Sequence, residues 1–139
     1  MRSIIIDAGP LISLFAVDDT NYQYYDDLIA EISPKGLRLI TTWPCIVEAS
    51  YILDDVHRFE MLHWIEIGGV IVYPFGPKDL GTMTALMKKH TEPKKSEMDF
   101  ADASLYWLSI ETGITEIMTT YHRDFSRYQL PENRHFHIL

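Results

Sequence analysis

Five carboxylates fall where a folded chain could bring them together: Asp7, Glu48, Asp99, Asp102 and Asp124. Asp7 closes the β-branched run that starts the chain, and Glu48 interrupts an apolar helical segment between Val47 and Ala49. Asp99 and Asp102 open a long helical segment near the other end, and Asp124 follows the last long strand. A spacing of three puts Asp99 and Asp102 on one helical face, aimed toward its N-terminal end. Three or four converging carboxylates repel one another unless a cation neutralises them, and Mg²⁺ or Mn²⁺ prefers hard oxygen ligands with water completing the shell. Such a site generates an attacking hydroxide from bound water and neutralises charge developing on a phosphate. The chemistry implied is phosphodiester hydrolysis.

Each acid also has an ordinary reading. Asp99 is equally a helix cap and Asp7 a turn residue, while Glu48 is either a solvent-face residue or a buried acid in need of a partner. What the ordinary readings leave unexplained is that all five fall at one end of one set of strands.

The elements that must position them alternate between strand and helix. Arg2 to Ile6 reads as a buried strand that stops at Asp7-Ala8-Gly9-Pro10, and Pro10 suits the first turn of a helix continued by Leu11 to Phe15. Asp18-Asp19 reads as the cap of a second helix over Asn21 to Ile32. Leu37 to Thr41 predicts a strand, Pro44 to about Leu53 a helix, His57 to Ile67 another helix ended by Gly68-Gly69, and Val70 to Tyr73 a strand. Leu80 to Lys89 reads as helix and His90 to Glu97 as a polar loop. Met98 to Thr112 follows as a long helix ended by Gly113, then Ile114 to Thr119 as a strand, with a last short strand over His135 to Leu139. The expected class is α/β: one domain over residues 1–139, a central parallel sheet flanked by helices on both faces. In open parallel sheets, sites form outside the carboxyl ends of the strands, and that rule selects these acids.

Composition narrows the class further. The chain has 139 residues, 47% of them apolar, with 23% charged, 7 Gly and 7 Pro, which fits one globular core and neither a disordered nor a fibrous chain. No apolar run approaches the roughly 20 residues that span a bilayer, so a soluble cytoplasmic protein is expected. The formal charge of −8 argues against binding nucleic acid through a broad basic surface. The single cysteine, Cys45, excludes an internal disulfide and any multi-cysteine metal cage, and it reads as a small buried apolar residue.

At the level of motifs the chain resembles the PIN-domain ribonucleases. Ile4-Ile5-Ile6-Asp7-Ala8-Gly9-Pro10-Leu11-Ile12, Thr41-Thr42-Trp43-Pro44-Cys45-Ile46-Val47-Glu48-Ala49 and Met98-Asp99-Phe100-Ala101-Asp102-Ala103-Ser104-Leu105 look like that family's three acidic motifs, in order and across nearly the whole chain. The likeness is greatest to the single-domain VapC-like toxins of bacterial type II toxin–antitoxin pairs. It implies a magnesium- or manganese-dependent endoribonuclease in which Asp7, Glu48 and Asp102 match the core metal-binding acids and Asp99 a frequent auxiliary one. It also implies an RNA substrate, an antitoxin protein as partner and a homodimer. In the fourth motif the sequence departs from the family: Met118-Thr119-Thr120-Tyr121-His122-Arg123-Asp124-Phe125 keeps Asp124-Phe125, but Tyr121 or His122 stands where an earlier acid is expected. Asp124 is the remaining acid there, and Thr119 matches a position that commonly hydrogen-bonds the site.

Other residues carry weaker signals. His122 has the pKa to move protons or touch a phosphate, yet reads first as a surface histidine. His135 and His137 share one face of a strand without a third ligand nearby, and are read as structural. Lys88, Lys89, Lys94 and Lys95 could hold an RNA backbone, although interleaved Glu92 and Glu97 suit a solvated loop equally. Tyr22, Tyr24, Tyr25, Trp64, Tyr106 and Trp107 read mainly as core or interface. Two rivals are a phosphoacceptor receiver domain and a PIN-fold binding module without chemistry. The first wants an acidic pair after the first strand and an acid after a middle one, and neither Asp7-Ala8-Gly9 nor Val70 to Phe75 supplies them.

Overall fold

The computed structural model describes all 139 residues. Ile4, Ile5 and Ile6 of β1 (Arg2–Ile6) are wholly buried, as a strand covered on both sides must be. It pairs in parallel with β2 (Leu37–Thr41) on one side and with β4 (Glu116–Met118) on the other. β3 (Ile71–Val72) and β5 (His137–Ile138) form the edges, so the sheet is all-parallel in the order β3-β2-β1-β4-β5. The class is the α/β arrangement expected.

The chain steps one way from β1 to β2 to β3 and then crosses back to β4 on the far side of β1. With right-handed crossovers, the reversal sends the later helices to the opposite face of the sheet from the earlier ones. The packing agrees: α1 (Ala8–Phe15) lies against α2 (Tyr22–Ile32), α3 (Trp43–Ile52) and α4 (Asp55–Glu66). On the other side α5 (Leu80–His90) packs on α6 (Phe100–Thr112), and α7 (His122–Arg127) on β5. The topological switch point therefore falls between β1 and β4, where a crevice opens at the strands' carboxyl ends.

Several boundaries differ from those read in the sequence, each for a local reason. The helix over 98–112 begins only at Phe100, because Asp99 is its cap and accepts the Asp102 N–H at 2.8 Å. Asp99 and Asp102 are thus a cap and a first-turn residue, rather than two successive positions within a helix. The helix over 57–67 starts earlier, at Asp55, because Asp54 caps it by accepting the His57 N–H at 3.0 Å. Asp18-Asp19 does not cap α2. Asp19 instead accepts from Asn21 N at 2.8 Å and from Ser13 Oγ at 2.9 Å, which fastens the end of α1 to the following turn.

The strand over 114–119 shortens to Glu116–Met118 because its ends are used elsewhere. The Ile114 carbonyl accepts from Ser109 Oγ at 2.6 Å, and the Thr119 hydroxyl turns to Asp7. The last strand is shorter than 135–139 because His135 bridges back to Gln129. Helix α7 has no counterpart in the sequence reading; at six residues it is too short for a hydrophobic period, although Phe125 within it is fully buried.

Gly113 ends α6 with φ +76°, a left-handed conformation that glycine adopts without strain. Gly69 is required for a different reason: its N–H donates to the Trp64 carbonyl at 2.8 Å, and a side chain there would overlap the Trp64 indole. That indole packs on Phe15 with ring centroids 5.4 Å apart, so it has little room to retreat. Gly69→Ala is expected to cost about 1–3 kcal/mol, the range for overpacking a filled site, seen as a lowered urea midpoint with unchanged slope.

Candidate active site

Asp7 follows β1 and caps α1, which places it at the carboxyl end of the sheet beside the switch point. It is only 1% exposed. One oxygen, Oδ1, accepts the Ala8 N–H at 2.7 Å and lies 3.8 Å from the Cys45 thiol; the other, Oδ2, accepts the Thr119 hydroxyl at 2.8 Å. Thr119 is in turn held by the Tyr121 N–H, 3.0 Å from its Oγ1. The acid is thus clamped between the first strand and the segment after the fourth. Burial pushes Asp7 above the usual carboxylate range, the Thr119 and Ala8 hydrogen bonds pull it back, and the negative charge of Asp99 adds to the rise.

Asp102 comes from the first turn of α6 and is 7% exposed. Burial raises it to about 8 against the pull of a hydrogen bond from Tyr128, and the charges of Asp99, Asp7 and Asp124 raise it further. Tyr128 donates to Asp102 Oδ2 at 2.7 Å from a fully buried ring. Glu48, half-buried on the second turn of α3, is raised by burial and then by the charges of Asp7 and Asp99. Asp99 is exposed at the cap of α6. The phenol of Tyr121 registers all four at once: after burial, the groups that raise it are Glu48, Asp7, Asp102 and Asp99.

Four of the five acids therefore share one field, supplied by the end of β1, by α3, and by the cap and first turn of α6. Asp124 stands at the margin. It sits in the first turn of α7, 4.0 Å from the Arg127 guanidinium, and its charge reaches Asp102 and Tyr128. Arg127 is itself fastened by a 2.7 Å hydrogen bond to the His90 carbonyl and stacks over the Tyr128 ring at 5.0 Å.

No three His, Cys, Asp or Glu side chains stand close enough to form a ready-made metal cage. The donor set nevertheless fits a hard divalent cation. All four groups offer carboxylate oxygens, and the charges that perturb Asp7, Glu48 and Asp102 are acids alone, with no lysine or arginine offsetting them. A divalent ion is the partner that would relieve such a field. Asp7, Glu48 and Asp102 are the residues that would hold it, with Asp99 at the open side.

Two clefts meet at the acids. One, of about 710 Å³, is lined by Trp43, Val47, Tyr51 and Phe100 and carries Glu48 and Asp99 on its wall. The second, of about 360 Å³, is more polar, and Ser13, Asp19, Thr120 and Tyr121 share it with Glu48. A third hollow of about 420 Å³ adjoins it, with Asn21, Tyr24 and His122 at its rim.

Other residues singled out in the sequence lie elsewhere. Cys45 is wholly buried and its thiol pushed well above its ordinary range by burial, which leaves it a donor toward Asp7 rather than a nucleophile. His135 and His137 are exposed, as are Lys88, Lys89, Lys94 and Lys95. Tyr25, Tyr106 and Trp107 belong to the core, and the Tyr25 hydroxyl donates to the Thr119 carbonyl at 3.1 Å. The sequence reading missed Tyr128. Its only signal was an aromatic three residues past Phe125, ordinary for a core position.

Removing the Tyr128 hydroxyl tests whether Asp102 needs that partner. Tyr128→Phe keeps the buried ring and leaves Asp102 Oδ2 without its donor, which raises Asp102 further. Divalent-ion affinity is expected to fall about tenfold, at the low end of what loss of a hydrogen bond behind a metal ligand costs, in a calorimetric Mn²⁺ titration.

No family model matches the chain, and no curated protein matches it by sequence. Among solved structures it is similar to VapC20 of Mycobacterium tuberculosis, described as a toxin that cleaves the sarcin–ricin loop. The match has a TM-score of 0.62 at 15% identity and covers 82% of this chain and 86% of that one. The architecture is accordingly a PIN-like α/β fold. No helix is long and apolar enough to cross a membrane.

Proposed function

We propose that the chain is a metal-dependent endoribonuclease that hydrolyses RNA phosphodiester bonds, and the toxin of a toxin–antitoxin pair acting in the cytoplasm. The observation that carries the reading is the convergence of Asp7, Glu48, Asp99 and Asp102 on one crevice with no cationic side chain to balance them. The likeness of fold to a toxin that cuts ribosomal RNA supports it. Bound Mg²⁺ or Mn²⁺ would supply an activated water and neutralise charge on the scissile phosphate.

The chain's own residues do the positioning. Thr119 and the Ala8 N–H fix the two oxygens of Asp7, and Tyr128 fixes one oxygen of Asp102. Glu48 closes the set from α3. In-line attack by water would leave a 5′ phosphate and a 3′ hydroxyl, and unpaired or looped RNA suits a narrow acidic crevice better than a duplex. An antitoxin would inhibit by placing an arginine or a helix over the acids, and a homodimer is the assembly proposed.

The experiment is incubation of a labelled structured RNA with purified protein in Mg²⁺, in Mn²⁺ or in EDTA. Cleavage that requires the ion supports the nuclease. A well-folded protein that binds Mn²⁺ but cuts no RNA would instead be a binding module with a PIN fold. One observation favours that second reading: Asp124, the remaining acid of the altered fourth motif, lies 4.0 Å from Arg127, whose charge opposes the one Asp124 lends to Asp102.

A further inference from the structure

The apolar cleft is lined by side chains that the fold leaves uncovered. Along α3, Trp43, Val47 and Tyr51 recur every fourth residue and are 54%, 65% and 85% exposed, an apolar stripe that the fold leaves in water. Phe100, at the start of α6, and Phe75 line the same cleft. The cleft they line opens directly on Glu48 and Asp99, and Glu48 also lines the polar cleft beyond. A strand whose phosphate lies at the acids therefore meets an aromatic slot on one side and a polar slot on the other.

We infer that this cleft is a base-stacking subsite, which seats an unpaired nucleobase next to the scissile phosphodiester with Trp43 and Phe100 as its flat walls. The inference rests on the nuclease reading, since the phosphate at the acids is what brings a base to the cleft. Three observations favour a base over a peptide or a second copy of the chain. The walls are mainly rings, whose faces accept any base. The only charged groups in the cleft are the two carboxylates it shares with the acid cluster, so no cation is offered to an acidic side chain or a second phosphate. At about 710 Å³ the cleft lies within the range of small-ligand pockets, room for one or two bases and short of a helix-sized groove.

The test is anisotropy titration of a labelled single-stranded RNA octamer and of a matched octamer with abasic sites, in Ca²⁺, against wild type, Trp43→Ala, Trp43→Phe and Tyr51→Ala. Wild type should prefer the base-bearing strand by about tenfold. Trp43→Ala should lose that preference without changing affinity for the abasic strand, and Trp43→Phe should restore most of it. Tyr51, more exposed still, gives a second variant whose folding is not at risk, with a smaller loss expected. Equal binding of both strands by wild type overturns the inference, as does an unchanged preference in Trp43→Ala. Conversion of a dimer to a monomer by Trp43→Ala in sedimentation also overturns it, and identifies the stripe as an interface between copies. A Trp43-dependent preference in a protein that cuts no RNA in Mg²⁺ would retain the subsite and remove the nuclease reading.

Discussion

Asp7→Asn and Asp102→Asn are each expected to lower RNA cleavage by about 10³-fold or more, roughly 4 kcal/mol of barrier, while the protein stays folded. The size follows from the role proposed: each side chain offers one of the few oxygens available to a divalent ion, and an amide cannot replace a carboxylate's charge. The stability of the variants follows from geometry. At residue 7, the amide oxygen of Asn can still accept from Ala8, and its NH₂ group can donate to the Thr119 hydroxyl in place of the present 2.8 Å bond from that hydroxyl. Both substitutions remove a buried charge that has no cationic partner, so neither should lower the melting temperature at pH 8. The assay is cleavage of labelled RNA in Mn²⁺ beside thermal melts of the same preparations. Variants that melt normally and cut at the wild-type rate would exclude these acids from the chemistry.

The second large effect is on stability against pH. Asp7, Glu48 and Asp102 are all raised in the folded protein, Asp102 from 3.8 to about 8. A raised carboxyl binds its proton more tightly folded than unfolded, so the folded state holds more protons between the two values and stability falls as pH climbs through that window. Without divalent ions the melting temperature should therefore decline between pH 5 and pH 8. A loss on the order of 2 kcal/mol corresponds to about 5–8 °C for a chain of this size. His90 works in the opposite sense just below pH 6.5, because burial lowers it and its charging on acidification disfavours the folded state. Asp102→Asn separates the two, since it should flatten the decline and leave the histidine's contribution. Added Mn²⁺ should restore the lost stability at pH 8 and do little at pH 5, where Asp102 holds its proton. A wild-type melting temperature that rises steadily from pH 5 to pH 8 without metal would contradict the acid cluster described here.

Much of this arrangement was legible in the residues. Five long periodic helices and the isoleucine run of β1 announced an alternating chain, and the strand-end rule then selected Asp7, Glu48, Asp99, Asp102 and Asp124 before any geometry was known. Short elements were less visible. The six residues of α7 and the two-residue strands β3 and β5 are fixed by tertiary contacts, such as the burial of Phe125, that no local period reports. The hydrogen bonds that hold the acids were equally hidden. Thr119 and Tyr128 reach Asp7 and Asp102 across 112 and 26 residues of sequence, and side chains that distant are related only by the fold. Asp124 shows the limit from the other direction: its position after the fourth strand was readable, while its engagement by Arg127, one turn along a helix the sequence did not disclose, was not.

The clamp on Asp7 also bears on when the protein becomes competent during its own synthesis. Its acid is translated 112 residues before Thr119, whose hydroxyl holds it, and β1 acquires its β4 neighbour only when residues 116–118 have emerged. Asp102 waits only 26 residues, but its partner Tyr128 emerges later than Thr119. A nascent chain that has passed Asp102 but not yet reached residue 116 thus carries every acid of the shared field and lacks the strand and hydroxyls that hold Asp7 and Asp102 in place. For an enzyme whose proposed substrate is RNA, the order of translation itself would keep the growing polypeptide inert beside the ribosome until the segment from β4 to Tyr128 has emerged.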